Sequence, residues 1–170
     1  RDSPGSNLIS SRVLASVAGA TTFRLIIAVA VAQGYNLTSI GLACASPMRH
    51  LDSNGCPQPG EALVLAKLRR FSIYLLVHWG LVQSAANPRL YTCSDARGDN
   101  PGILWVLLYD GEALVVDNDP DIRSNFVRAL GARFPLKDRG EADCFLGMTI
   151  RRDRVAREVT LSQEPCADEI

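Results

Sequence analysis

The sequence predicts an α+β fold in which one antiparallel sheet carries helices packed on one side. Three stretches predict it. Residues 103–109 (ILWVLLY) and 113–116 (ALVV) are runs of β-formers flanking Asp110-Gly111, a dipeptide that favours a tight two-residue hairpin turn. Ile122, Phe126, Leu130 and Phe134 recur every four residues, the apolar stripe of a helix lying on a sheet. Residues 144–151 (CFLGMTIR) and 156–162 (AREVTLS) read as a second hairpin around residues 153–155. The strands of the first hairpin hold almost no polar side chain, so both of their faces are expected to be covered.

In chain order, residues 1–12 are polar, hold Pro4 and Gly5, and read as a loose lead-in to a domain spanning 13–170. Thr21-Thr22 stand where an N-cap belongs, before the apolar run FRLIIAVAVAQ, and Gly34 stands where such a helix ends. That helix is apolar nearly all round and is expected to be buried. Residues 35–42 (YNLTSIGL) alternate weakly, as a strand does. Residues 46–60 hold three prolines, two glycines and Asn54, and read as loop. Good helix formers follow over 61–70, with Lys67, Arg69 and Arg70 at the end. Residues 71–79 (FSIYLLVHW) fit helix or strand, and 87–102 read as a second loop. Asp119 caps a helix with Pro120 at its first position. Gly140 ends a turn, and 162–165 (SQEP) looks like another helix start.

Composition narrows the function classes. Hydrophobic residues make up 47% and charged residues 21%, which is globular rather than disordered. Lys+Arg and Asp+Glu balance at 18 each, so no net field draws the chain to nucleic acid. The five cysteines (Cys44, Cys56, Cys93, Cys144, Cys166) include no C-x-x-C pair, and His50 and His78 lie far apart, which argues against zinc. Scattered thiols fit a reduced, intracellular protein that is not secreted. The start has no apolar signal segment. Residues 25–32, an uncharged apolar run, fall far short of the roughly 20 residues a membrane span needs. The chain opens on Arg1 and stops at a helix start, so it is expected to be a piece of a longer protein.

Four segments carry a resemblance. They are TTFRLIIAVAVAQGYNLTSI (21–40), Gln58-Pro59-Gly60 with the basic Leu68-Arg69-Arg70 beyond it, VQSAANPRLY (82–91) leading to LLYDGEALVV (107–116), and FPLKDRGEADCFLGMTIRRDRVAREVTLSQ (134–163). In this order they resemble the reverse transcriptase domain of copia-type retrotransposon polyproteins. The first looks like that family's helix and the strand leading to its first metal-binding aspartate, and 107–116 like the hairpin carrying its Y-V-D-D motif. The last is similar throughout to its F-x-(M/L)-K-D-x-G-x-x-x-x-F-L-G region and the strand ending in L-S-Q. The resemblance implies a fragment of a polymerase palm, RNA-directed DNA polymerase ancestry, Mg²⁺ as cofactor, an RNA/DNA primer–template as partner, and neighbouring domains of a polyprotein.

The departures fall where the chemistry belongs. Nucleotide transfer uses two Mg²⁺ ions about 4 Å apart, held by carboxylate oxygens. The resemblance places the family's three aspartates at Gly41, Gly111 and Glu112, so two of the three positions carry no side-chain ligand. Asp110 falls at the spacer position. The family's G-L-K-Q-A-P-R-x-W segment is reduced to residues 74–79, an internal deletion expected to leave the fold marginal.

The expectation is therefore a catalytically inactive palm, with Asp110 and Glu112 as residual metal candidates. Against that residual site stands the plain reading of a good turn with a solvated glutamate beside it. Lys67, Arg69 and Arg70 are candidate phosphate contacts, or simply a helix end favoured by its dipole. Lys137 with 151–154 (RRDR) offers a basic strip, or an ordinary charged hairpin. His50 with Asp52 reads as loop surface, and Trp79 and Trp105 as core. Two other functions compete: an active polymerase using Asp110 and Glu112 beside a partner chain, and a non-catalytic module that binds nucleic acid or another protein.

Overall fold

The computed structural model describes residues 7–42, 59–95, 102–109 and 111–163. Three helices, α1 (Asn7–Gln33), α2 (Pro59–His78) and α3 (Pro120–Gly131), accompany nine strands. The strands are β1 (Asn36–Leu42), β2 (Val82–Gln83), β3 (Leu90–Asp95), β4 (Gly102–Tyr109), β5 (Glu112–Asp117), β6 (Leu136–Glu141), β7 (Cys144–Phe145), β8 (Met148–Asp153) and β9 (Glu158–Ser162). Six of them form one sheet in the order β2-β3-β4-β5-β1-β6, and β7-β8-β9 form a second. Every pairing is antiparallel. This is the expected α+β class.

The hairpin is present in the expected register. Tyr109 pairs with Glu112, and Gly111 before it takes a φ of 87°. Apolar side chains then alternate between two cores, because successive residues of a strand point to opposite faces. Val106, Leu108, Ala113 and Val115 face one core with Phe71 and Leu75 of α2 and Phe126 and Leu130 of α3. Leu107, Leu114 and Val116 face the other, with Phe23, Ile27 and Val31 of α1 and Phe145, Met148 and Ile150 of the small sheet. Helices therefore cover both faces of the large sheet, not one. The all-apolar β4 and β5 demand it, since a single helical layer would leave half of their side chains in water.

Other differences have local causes. Helix α1 begins at Asn7, within the stretch read as a lead-in, and runs through Thr21-Thr22. The Thr22 hydroxyl is not a cap; it accepts a hydrogen bond from Asn87 Nδ2 at 2.8 Å. α1 buries one face, while Leu25 is 63% exposed. It does end before Gly34, with Tyr35 N bonded to Ala30 O at 2.8 Å. Residues 71–78 continue α2, because Phe71 and Leu75, one turn apart, are buried while Ile73 and Val77 point outward. Strand β3 lies inside the stretch read as loop, and β6 replaces the turn expected at Gly140. The Asp119 cap is as expected: its Oδ1 accepts from Asp121 N at 2.9 Å, with Pro120 next. Trp79 and Trp105 both pack against the cores. Of the stretch read as loop over 46–60, residues 46–58, with His50 and Asp52, lie outside the described residues, while Pro59 and Gly60 open α2; of the helix start read at 162–165, Ser162 ends β9 and residues 164–165 lie outside the described residues. Among the described residues no helix is long and apolar enough to cross a membrane.

Candidate functional site

The first site residue stands near the end of β1. Gly41 pairs with Glu112, the first residue of β5, and the next amide, Leu42 N, donates to Gly111 O at 2.7 Å. Antiparallel pairing thus gathers Gly41, Gly111 and Glu112 at one corner of the large sheet, although 70 residues separate the first from the others. Sequence reasoning put the family's three aspartates at these positions, and the fold brings all three together. Gly41 and Glu112 share the sheet face of Leu37, Leu114 and Val116, the face covered by α1.

The neighbouring edge strand supplies a residue that sequence reasoning missed. Between β1 and β6, Thr38 pairs with Glu141 and Ile40 with Asp138, so two residues, Arg139 and Gly140, stand opposite Ser39. This is a β-bulge, which bends a strand and re-aims its side chains. Two features build it. Gly140 adopts φ 78°, where a side chain would be strained, and its amide is tied to Asp138 Oδ1 at 2.9 Å. The K-D-x-G pattern in the sequence is therefore a bulge written in residues: the aspartate fixes the amide and the glycine supplies the backbone.

Arg139 reaches from the bulge across β1 to β5. Its Nη1 lies 2.6 Å from Glu112 Oε1, with the two side chains 43% and 31% exposed. The guanidinium passes directly over Gly41: a Cβ there would meet Nη2 at 3.3 Å and Nε at 3.4 Å. A Cβ at Gly41 would require the guanidinium to give by a few tenths of an ångström, so the bare glycine leaves it room. A charge-assisted pair at this exposure contributes roughly 0.5–1 kcal/mol, enough to fix the side chains but not the fold.

Mg²⁺ does not fit this corner. It requires several hard oxygens in octahedral array, and of the three family positions only Glu112 has a carboxylate, already bound to a cation. Asp110, the other residual candidate, lies outside the described residues. The buried Asp117 closes the far end of β5, about 17 Å away at a strand's rise per residue, and cannot join Glu112. Among the described residues no group of three His, Cys, Asp or Glu side chains could hold a metal ion.

Asp117 is occupied otherwise. It is fully buried, accepts from Asn36 Nδ2 at 2.9 Å, and its second oxygen has no partner. Burial raises its pKa above the ordinary aspartate value, against the lowering by the Asn36 hydrogen bond and the Arg123 charge.

The remaining candidates stand apart. Arg69 and Arg70 are exposed on α2, which packs on the opposite face of the sheet from Glu112. Lys67 belongs to the same helix, and its side chain is not among those described. In the proposed basic strip, Arg154 pairs with Glu141 at 2.8 Å and Arg152 Nη1 donates to Tyr35 O at 2.6 Å. Those cations tie the β8–β9 hairpin to the large sheet. Beside the hairpin tip the Arg89 guanidinium lies 5.0 Å from the ring centre of Tyr109. Cys93 and Cys144 are not joined in a disulfide, and the other three cysteines lie outside the described residues. Comparison with family models, with curated proteins and with solved structures returns no match for this chain.

Proposed function

We propose that the chain descends from an RNA-directed DNA polymerase of the copia type, keeps part of the palm, and performs no nucleotide transfer. One observation carries the reading: positions assigned from sequence motifs alone, Gly41, Gly111 and Glu112, meet at one sheet corner. Gly111 and Glu112 are sequence neighbours, so the support lies in the pairing of Gly41 with Glu112, 71 residues away. At that corner a glycine–guanidinium–glutamate arrangement stands where the polymerase chemistry needs a cage of carboxylates. In the proposed ancestor these positions held Mg²⁺ against a primer–template. Here the surviving carboxylate is neutralised internally.

The test is primer extension on an oligo(dT)-primed poly(rA) template with Mg²⁺ and, separately, Mn²⁺. The expected result is no incorporation above a protein-free control. Templated incorporation that disappears on Glu112→Gln would overturn the proposal.

A further inference from the structure

We infer that the chain self-associates through the β2 edge of the large sheet, forming a two-fold dimer in which β2 of one copy pairs with β2 of the other. The two edges of that sheet are guarded differently. Strand β6 carries Lys137, Asp138, Arg139 and Glu141 and a bulge, the devices that keep sheet edges apart. Strand β2 is two residues long and carries no charge, and residues 73–88 hold no Asp, Glu, Lys or Arg. Val82 is 67% exposed, and Leu25 of α1 is 63% exposed. The register sets Val82 in one row with Thr92 and Trp105, and between that row and α1 runs an open trough of about 470 Å³, lined also by Leu25, Val29 and Leu90. Asn87, buried just past β2, donates to Thr22 of α1 at 2.8 Å and holds this edge to the helix.

The backbone selects the occupant. Ser84 N donates to Leu90 O at 2.8 Å, so the alternation of an antiparallel ladder turns the N–H and C=O of Gln83 away from β3, towards the open side. Among the described residues no strand lies beyond β2. The Gln83 side chain donates to Pro88 O of its own chain and leaves the approach clear. A second copy meets this edge on its own terms. A two-fold axis through Gln83, perpendicular to the sheet, sets the residue against its counterpart and forms two N–H···O=C bonds. The same axis keeps both α1 helices on one face, so Leu25 and Val82 of each copy come together at the seam. Two copies approach along 73–88 without like-charge repulsion, whereas a charged partner finds no complement there. One self-paired residue and a short apolar seam make a small interface, below about 1,200 Å², and a dissociation constant on the order of 0.1 mM.

The experiment is sedimentation equilibrium of the full chain at about 5 μM and about 500 μM, with hydrogen exchange of the Gln83 amide at the same two concentrations. Between them the weight-average mass is expected to rise by about 1.5-fold or more, and Gln83 exchange to slow by about twofold or more. Val82→Lys, at an exposed position, and Gln83→Pro, which removes the outward N–H, are each expected to weaken dimerisation by about tenfold or more. A parent chain of monomer mass at both concentrations overturns the inference. A mass above that of a dimer does so too, because a two-fold pairing of one edge closes on itself. A variant with the parent's far-UV circular dichroism and undiminished dimerisation overturns it by placing the interface elsewhere. Should neither variant fold, the parent decides: Gln83 exchange that slows as the mass rises supports the inference, and exchange that stays constant overturns it.

Discussion

Phe126→Ala puts the two-core architecture under direct strain. Phe126 is fully buried on α3, beneath the large sheet, with its ring edge-on to Trp79 at 5.0 Å between centres. Truncation removes the apolar area of a phenyl ring and leaves a cavity between helix and sheet. Such replacements cost about 3–5 kcal/mol, including the roughly 0.5–1.5 kcal/mol of the aromatic pair. A domain stable by about 5–15 kcal/mol loses about a fifth or more of that margin. With a urea slope of about 1–3 kcal/mol per M, the midpoint falls by at least about 1 M, or the cooperative transition disappears. Urea denaturation followed by tryptophan fluorescence reads it, because Trp79 and Trp105 report from the two cores. A midpoint within about 0.3 M of the parent would refute the placement of Phe126 as a core residue and with it the helix stripe of Ile122, Phe126 and Leu130 on α3, which ends before Phe134.

Two further expectations follow from the edge strand and the buried carboxylate. Gly140→Ala forces a Cβ onto a residue at φ 78° and should cost about 1–2 kcal/mol in urea denaturation; a neutral effect would dissolve the bulge that aims Arg139. Asp117→Asn tests linkage. The folded pKa of Asp117 is raised, so its contribution to stability is full below the unfolded value of about 3.9 and is lost as pH rises through the folded value. The stability of Asp117→Asn relative to the parent should therefore increase from pH 4 towards neutrality, and a difference that is flat or falls with pH would refute the raised pKa.

Much of the fold was legible because it is encoded locally. Asp110-Gly111 between two apolar runs and Asp119-Pro120 before a four-residue stripe each specify structure within a dozen residues, and each stands where the pattern put it. The second hairpin differs from its reading: its turn spans 154–157, and residues 144–151 are split by a turn at Leu146-Gly147, both at positive φ, into β7 and the start of β8. What was not legible depends on distant partners. Thr21-Thr22 carries a cap signature, but Thr22 spends its hydroxyl on Asn87, 65 residues away. Strand β6 (LKDRGE) has no apolar alternation because it is a sheet edge with few buried positions, so its polar residues read as a turn. Strand β3 was hidden by the turn-forming residues that crowd both of its ends. The two-sided covering of the sheet was implied by the apolar β4 and β5, yet which helix takes which face depends on chain crossings that periodicity does not carry.

The candidate site divides in the same way. The resemblance pointed to Gly41, Gly111 and Glu112, and the register places them at one corner. Arg139 occupies the unspecified place in K-D-x-G, where a sequence pattern gives no reason to look. Its partner Glu112 lies 27 residues earlier, and the contact forms where a bulge and a bare glycine align across three strands. A signal was nevertheless present in the D-x-G itself, whose aspartate and glycine are the residues that build the bulge.

Broadening of backbone amide NMR signals by Mn²⁺ in the unmodified chain tests the central claim most directly, because it asks whether the corner holds a cation of its own. With Arg139 seated on Glu112, the amides of Gly41, Leu42, Glu112 and Arg139 should broaden no more at micromolar Mn²⁺ than exposed carboxylates elsewhere on the surface. Selective, saturable broadening of those four amides, abolished by Glu112→Gln, would contradict the account.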